Sequence, residues 1–157
     1  MLQFLIEHRH IVQYALFFGL TAFAFWRGQA PEKLTGMVFI GAIVLVMLLA
    51  TQSEPDTGGK LNTGYAMLDL AMTIALAVIA LRANRMYPII ILGFQLISLA
   101  AHLQRGLLDP ISPSAYLILT RIPSWLQLVA FAAGLAAHRR RVRRGILVPP
   151  WSRRFGR

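Results

Sequence analysis

Residues 34–51 read LTGMVFIGAIVLVMLLAT, eighteen positions without one charged side chain. At about 1.5 Å of rise per residue, a helix of this length covers most of the roughly 30 Å hydrocarbon layer of a bilayer. It has almost no polar atoms beyond its ends, so it is the best candidate in the chain for a helix that faces lipid. Four further runs are free of charge or nearly so: residues 11–26, 65–81, 86–103 and 122–137. They are short against the roughly 20 residues that a spanning helix needs. Flanking Trp and Tyr, snorkelling Arg or local thinning of the bilayer make up the difference.

The rest of the composition points the same way. The chain has 157 residues, 57% hydrophobic and only 14% charged, with a mean hydropathy of +0.59. Soluble domains carry about 25% charged residues. Five apolar runs cannot all be buried inside so small a water-soluble core. Disorder and collagen are excluded by the same numbers. With no cysteine, a disulfide framework, a thiolate metal site and a cysteine nucleophile are excluded as well. The expected fold is an all-α integral membrane protein, a bundle of five transmembrane helices. The alternative is four spans plus an interfacial or re-entrant segment. Residues 1–138 form the bundle and residues 139–157 a basic tail.

The first run is expected to stay in the protein. Glu7 and Arg9 precede it, so there is no strongly positive leader, and no small-x-small cleavage pattern follows it. The breaks carry turn residues. RGQAPEK (27–33) places Pro31 at a helix start. TQSEPDTGGKLNTG (51–64) is the longest loop, and RANR (82–85) is a tight connection before Pro88. QRGLLDPISPS (104–114) reads as a loop. SAYLILTR (114–121) reads either as a short interfacial helix or as the outer end of the fifth span, kinked at Pro123. No internal or inverted repeat is visible, which removes one transporter signature.

Orientation follows the positive-inside rule. Eight of the sixteen basic residues lie in the last 19 positions, so the tail is expected in the cytoplasm and the N-terminus outside. Nine basic residues near the membrane then face inward and four, Arg9, Lys60, Arg105 and Arg121, face outward.

Charged groups in or beside a span cost several kcal/mol unless paired or hydrated, so they are the first place to look for chemistry. Asp69 sits in the third run with Thr73 one turn on. Gln95, Ser98 and His102 make a polar stripe on the fourth, and Arg121, Ser124 and Gln127 line the fifth. Gln13 stands at the same outer end of the first. Asp69, His102 and Arg121, with Gln95 and Thr73, are the candidate polar pocket. Asp69 is expected to pair with Arg121 or His102, either to bind a small ligand or relay protons, or simply to tie helices together.

Other chemistry is weakly signalled. His8-x-His10 beside Glu7 lacks the three or four convergent ligands of a zinc site. His102 and His138 fall at opposite ends, so a paired-histidine haem site is not expected, although a lone axial histidine shared with a partner stays open. G-x-S-x-G, H-E-x-x-H, P-loop and G-x-G-x-x-G motifs are all absent, and no enzyme activity is expected. Ala130, Gly134 and Ala137 make a close-packing face on the fifth span, as do Ala71 and Ala75 on the third. In the tail, Arg139, Arg140, Arg141, Arg143 and Arg144 with Trp151 are candidates for contact with anionic lipid headgroups or a partner, at about 1 kcal/mol per basic residue near the surface. Nothing suggests an ordered nucleic-acid module.

Several pieces together carry a resemblance. They are RGQAPE (27–32), Asp69, RMYP (85–88), Gln95 with His102, Tyr116, a helical C-terminal span and a basic tail. In these the chain resembles a group of small multi-span bacterial inner-membrane proteins with no assigned activity. The resemblance implies a multi-pass inner-membrane location and supplies no function or cofactor. The leading expectation is a non-enzymatic accessory or structural subunit acting with a membrane partner or as a homo-oligomer. The alternatives are a small-ligand or proton-coupled carrier, and a cofactor-binding subunit of an electron-transfer or photosynthetic complex.

Overall fold

The computed structural model describes residues 9–52, 63–107, 113–146 and 149–152. These form five helices: α1 (Arg9–Arg27), α2 (Ala30–Gln52), α3 (Thr63–Arg82), α4 (Tyr87–Leu107) and α5 (Pro113–Arg143). Among the described residues, three stretches are long and apolar enough to cross a membrane: Ala30–Ala50, Gly64–Arg82 and Tyr87–Gln104. Ile11–Arg27 is a shorter apolar helix. The segment 114–121 is the first part of α5, which runs through Pro123 without a break and continues into the first arginine block. Most of the longest loop, His8, and residues 108–112 lie outside the described residues.

Short connections force chain neighbours to pack side by side in opposite directions. Each helix packs against the next, and α1 returns to α5 to close the ring. The core is aromatic at its centre. Phe17 and Phe39 have ring centroids 4.6 Å apart, Phe39 and Phe131 5.6 Å, and Phe131 and Tyr87 6.4 Å. Four helices thus contribute to one column of rings, with Leu76 of α3 and Ile91 packed into the same cluster. On α2, the best candidate for a lipid-facing helix, Phe39, Ala42 and Ile43 are buried in the bundle while Met37, Val44, Leu45 and Leu48 are exposed. Apolar composition does not distinguish lipid from protein as a neighbour. Away from the core, Leu16, Val44, Ile74, Ile97 and Val129 leave large apolar surfaces exposed.

Local chemistry fixes the turns. Glu32, the third residue of α2, accepts a hydrogen bond from the Gln29 backbone N–H at 3.0 Å, the reach-back half of a capping box. Pro31 is the second helical residue, where a missing N–H costs nothing. Thr35 Oγ1 donates to the Pro31 carbonyl at 2.8 Å. Gly134 on α5 lies against the face of the Tyr87 ring, where a Cβ would overlap it. The expected small-residue face therefore seats an aromatic ring. α5 ends in a Schellman motif. Ile146 N–H donates to Arg141 O and Gly145 N–H to Val142 O, with Gly145 at φ +68°. The chain then returns across the α3–α4 turn, where Ala83 and Trp151 form an antiparallel bridge. Asn84 N–H donates to Pro150 O and Ser152 N–H to Arg82 O.

Candidate functional site

Among the described residues only two carry a carboxylate, Glu32 and Asp69, and they stand at opposite ends of the aromatic column. Each meets a basic side chain. The two environments differ, and the difference locates the site.

Asp69 is the seventh residue of α3. At 1.5 Å per residue it lies about 9 Å in from the helix start. Its Oδ2 accepts a hydrogen bond from Ser98 Oγ at 2.8 Å and lies 3.3 Å from His102 Nε2. Ser98 and His102 are one turn apart on α4, so a single face of that helix presents both to α3. Gln95, one turn further in, reaches the Asp69 carbonyl with Nε2 at 3.3 Å, while its Oε1 accepts from Gln127 Nε2 of α5 at 2.8 Å. Thr73 Oγ1 donates to that same carbonyl at 2.7 Å. Across the bundle, Gln13 of α1 donates to Ser124 Oγ at 2.8 Å, and Ser124 donates on to the Arg121 carbonyl.

These groups enclose a cavity of about 240 Å³. Asp69, Ser98, His102, Gln95, Gln127 and Gln13 supply its polar wall, and Tyr14, Phe17, Phe39 and Met72 much of the rest. The Asp69 and His102 side chains keep 17% and 12% of their surface, so the pair is reachable from the cavity. The carboxylate takes His102 and Ser98 as partners. Thr73 and Arg121 adjoin the network but do not line the cavity. Of the candidate pocket residues, Asp69, Gln95 and His102 therefore come together around one space. Chemically this space offers one acid, one titratable base, three amides and an aromatic side. That set suits binding of a small positively charged or hydrogen-bond-donating molecule.

The second cluster was not singled out as a site by sequence reasoning. Arg85 Nε lies 3.6 Å from Glu32 Oε1, with side-chain exposures of 4% and 0%. Arg85 Nη2 also donates to Gln29 Oε1 at 2.7 Å. Three residues of the α1–α2 and α3–α4 turns are thus locked together. Glu32 after Pro31, and Arg85 before Tyr87-Pro88, were visible as short motifs at helix starts. Their mutual contact across 53 positions was not. The two charged side chains are buried, and their contact joins the two turns.

The remaining candidates sit apart from both clusters. Arg139, on the last turns of α5, places its guanidinium 5.7 Å from the Phe23 ring centroid. Arg140, Arg141, Arg143 and Arg144 are exposed, and Trp151 is half-buried at the α3–α4 turn. No group of three His, Cys, Asp or Glu side chains able to hold a metal occurs among the described residues. Comparison with protein-family models, with curated proteins and with solved structures finds no match. The functional reading therefore rests on this chain's own geometry.

Proposed function

We propose that this chain is a multi-pass bacterial inner-membrane protein with five spans, its N-terminus outside and its tail in the cytoplasm. We propose further that its outer-side cavity binds a small ligand bearing a positive charge. The observation that carries this reading is the Asp69 carboxylate, held by Ser98 and His102 at the wall of a 240 Å³ cavity. A carboxylate at this depth costs several kcal/mol unless paired or hydrated. The chain keeps it beside open space rather than sealing it in. Small-molecule pockets for larger ligands run from about 300 Å³ upward, so the occupant is small. The exposed apolar belt supports the membrane assignment, since soluble monomers rarely show contiguous apolar patches of that extent. The Phe17–Phe39–Phe131 layer lies at the centre of the bundle, so a carrier would have to part these rings to pass its ligand inward. The accessory-subunit role was expected from missing motifs, whereas the cavity is a positive feature, and it leads for that reason.

The test uses detergent-purified protein and two probes, ethylammonium and tetramethylammonium. At least one is expected to bind saturably and raise the apparent Tm. Asp69→Asn should abolish that response while eluting as the native protein does. Thr73→Val, which removes a group outside the cavity wall, should retain it. Equal binding by Asp69→Asn, or no response to either probe, would overturn the assignment.

A further inference from the structure

A second cavity, of about 390 Å³, lies between α4 and α5 at the opposite end of the bundle. Ile90 and Phe94 form one wall, Val129 and Ala133 the other, and the Tyr87 ring and Gly134 are also part of its lining. Its polar lining consists of Arg85, His138 and Arg141, and no acidic side chain lines it. His138 is 5% exposed, and its Nδ1 has no hydrogen-bond partner among the described residues. A buried polar nitrogen without a partner costs about 1–3 kcal/mol, so it calls for an occupant that satisfies it. α4 also starts at this end, which adds the positive pole of its dipole.

We infer that this groove is a binding site for one anionic phospholipid, its phosphate held by His138 and Arg141 and an acyl chain laid along the α4–α5 wall. The amphiphilic shape and the charge argue for this occupant. An apolar trough with basic groups at one end complements a lipid with a negative headgroup, and basic pockets between membrane helices on the cytoplasmic side bind such headgroups. A free inorganic anion would leave the apolar trough uncovered. Ile90 and Val129 are 48% and 62% exposed, so the trough opens sideways, toward the position of lipid, rather than only to the bundle end. This goes beyond the diffuse attraction of an arginine tail, because it assigns a buried histidine and a defined groove. It rests on the membrane reading above, with this end of the bundle on the cytoplasmic side.

The experiment is native mass spectrometry of the delipidated full chain, titrated with phosphatidylglycerol or phosphatidylcholine. Three variants are compared with the parent: His138→Leu, Arg141→Gln, and the double variant Arg143→Gln/Arg144→Gln, whose residues lie outside the groove. One tightly held phosphatidylglycerol is expected, at least tenfold preferred over phosphatidylcholine. The preference should fall about tenfold in His138→Leu and in Arg141→Gln and stay intact in the double variant. Apparent Tm without lipid checks that each variant is folded. Should His138→Leu fail to fold, Arg141→Gln at the groove mouth carries the test. Equal affinity for the two lipids, or equal loss in the double variant, would overturn the site. Inorganic phosphate competing as well as the lipid would also overturn it. Carbonate extraction of native membranes separates the two failures, since release into the soluble fraction refutes the membrane reading itself.

Discussion

Replacing Arg85 by Met leaves the buried Glu32 carboxyl without its cation. In the native protein the two charges are 3.6 Å apart, which at an effective dielectric of about 20 corresponds to an attraction of about 5 kcal/mol. Removing one partner of such a pair typically destabilises by about 3–5 kcal/mol, because the survivor keeps its desolvation cost and loses the compensation. Arg85→Met also removes the hydrogen bond to Gln29 Oε1. A loss of that size corresponds to a fall in apparent Tm on the order of 10 °C for a chain of this length. Glu32→Gln keeps an amide oxygen that can accept from the Gln29 backbone N–H but strands the buried Arg85 guanidinium, so its cost should be of similar size. The double variant Glu32→Gln/Arg85→Met should recover part of the loss, since no uncompensated ion remains. The coupling read from the four-member cycle should reach about 2–3 kcal/mol. The assay is thermal unfolding of the purified protein in one detergent, followed by the monodisperse fraction that survives heating. Single variants within 2 °C of the parent, or a double variant whose loss is the sum of the singles, would show that the buried contact does not hold the turns together.

Two further outcomes follow from packing and from orientation. Gly134→Ala places a methyl group into the Tyr87 ring and should destabilise by about 1–3 kcal/mol, whereas Gly41→Ala and Gly93→Ala, with nothing within 4 Å, should stay within about 0.5 kcal/mol; the same thermal assay measures all three, and equal effects would refute the packing account. The chain has no cysteine, so single cysteines report topology without background; Thr57→Cys should react with an impermeant maleimide in intact cells and Asn84→Cys only after lysis, and the reverse pattern would invert the proposed orientation.

The helices were legible in the sequence because charge is expensive in an apolar setting. The runs 34–51 and 65–81 fall within α2 and α3, and 86–103 starts one residue before α4, since each ends where Arg, Lys or a turn cluster begins. The depth of each polar residue was legible too. A fixed rise per residue puts Asp69, Gln95, His102 and Gln127 in the same half of the bundle. Rotation about each helix axis was not legible, and rotation decides partners. Asp69 had two basic residues within reach by depth, His102 and Arg121. The structure directs it to His102 because Ser98 and His102 share the α4 face turned toward α3. Arg85 was counted as one more inward-facing loop charge, because its position beside Asn84 and before Pro88 reads as a turn. Its side chain instead folds inward to Glu32, and only the three-dimensional closure of the two neighbouring turns reveals that.

The contrast between the two acid–base pairs separates scaffold from site. Both pairs bring a carboxylate next to a base. At the Arg85 end the guanidinium also donates to Gln29, the carboxylate caps α2, and Tyr87 packs on Gly134 beside them. That pair serves rigidity, and the Glu32 carboxylate is reached only by breaking it. At the Asp69 end the carboxylate is held by a hydroxyl and an imidazole, both reoriented at small cost, and it borders a cavity whose amides belong to three different helices. Filling that space with apolar side chains would have been the simpler way to stabilise a bundle, since interhelical hydrogen bonds contribute only about 1 kcal/mol each. A chain that keeps one of its few acids beside an unfilled, amide-lined space has kept cation-binding chemistry there, and the aromatic column separates it from the basic groove at the other end.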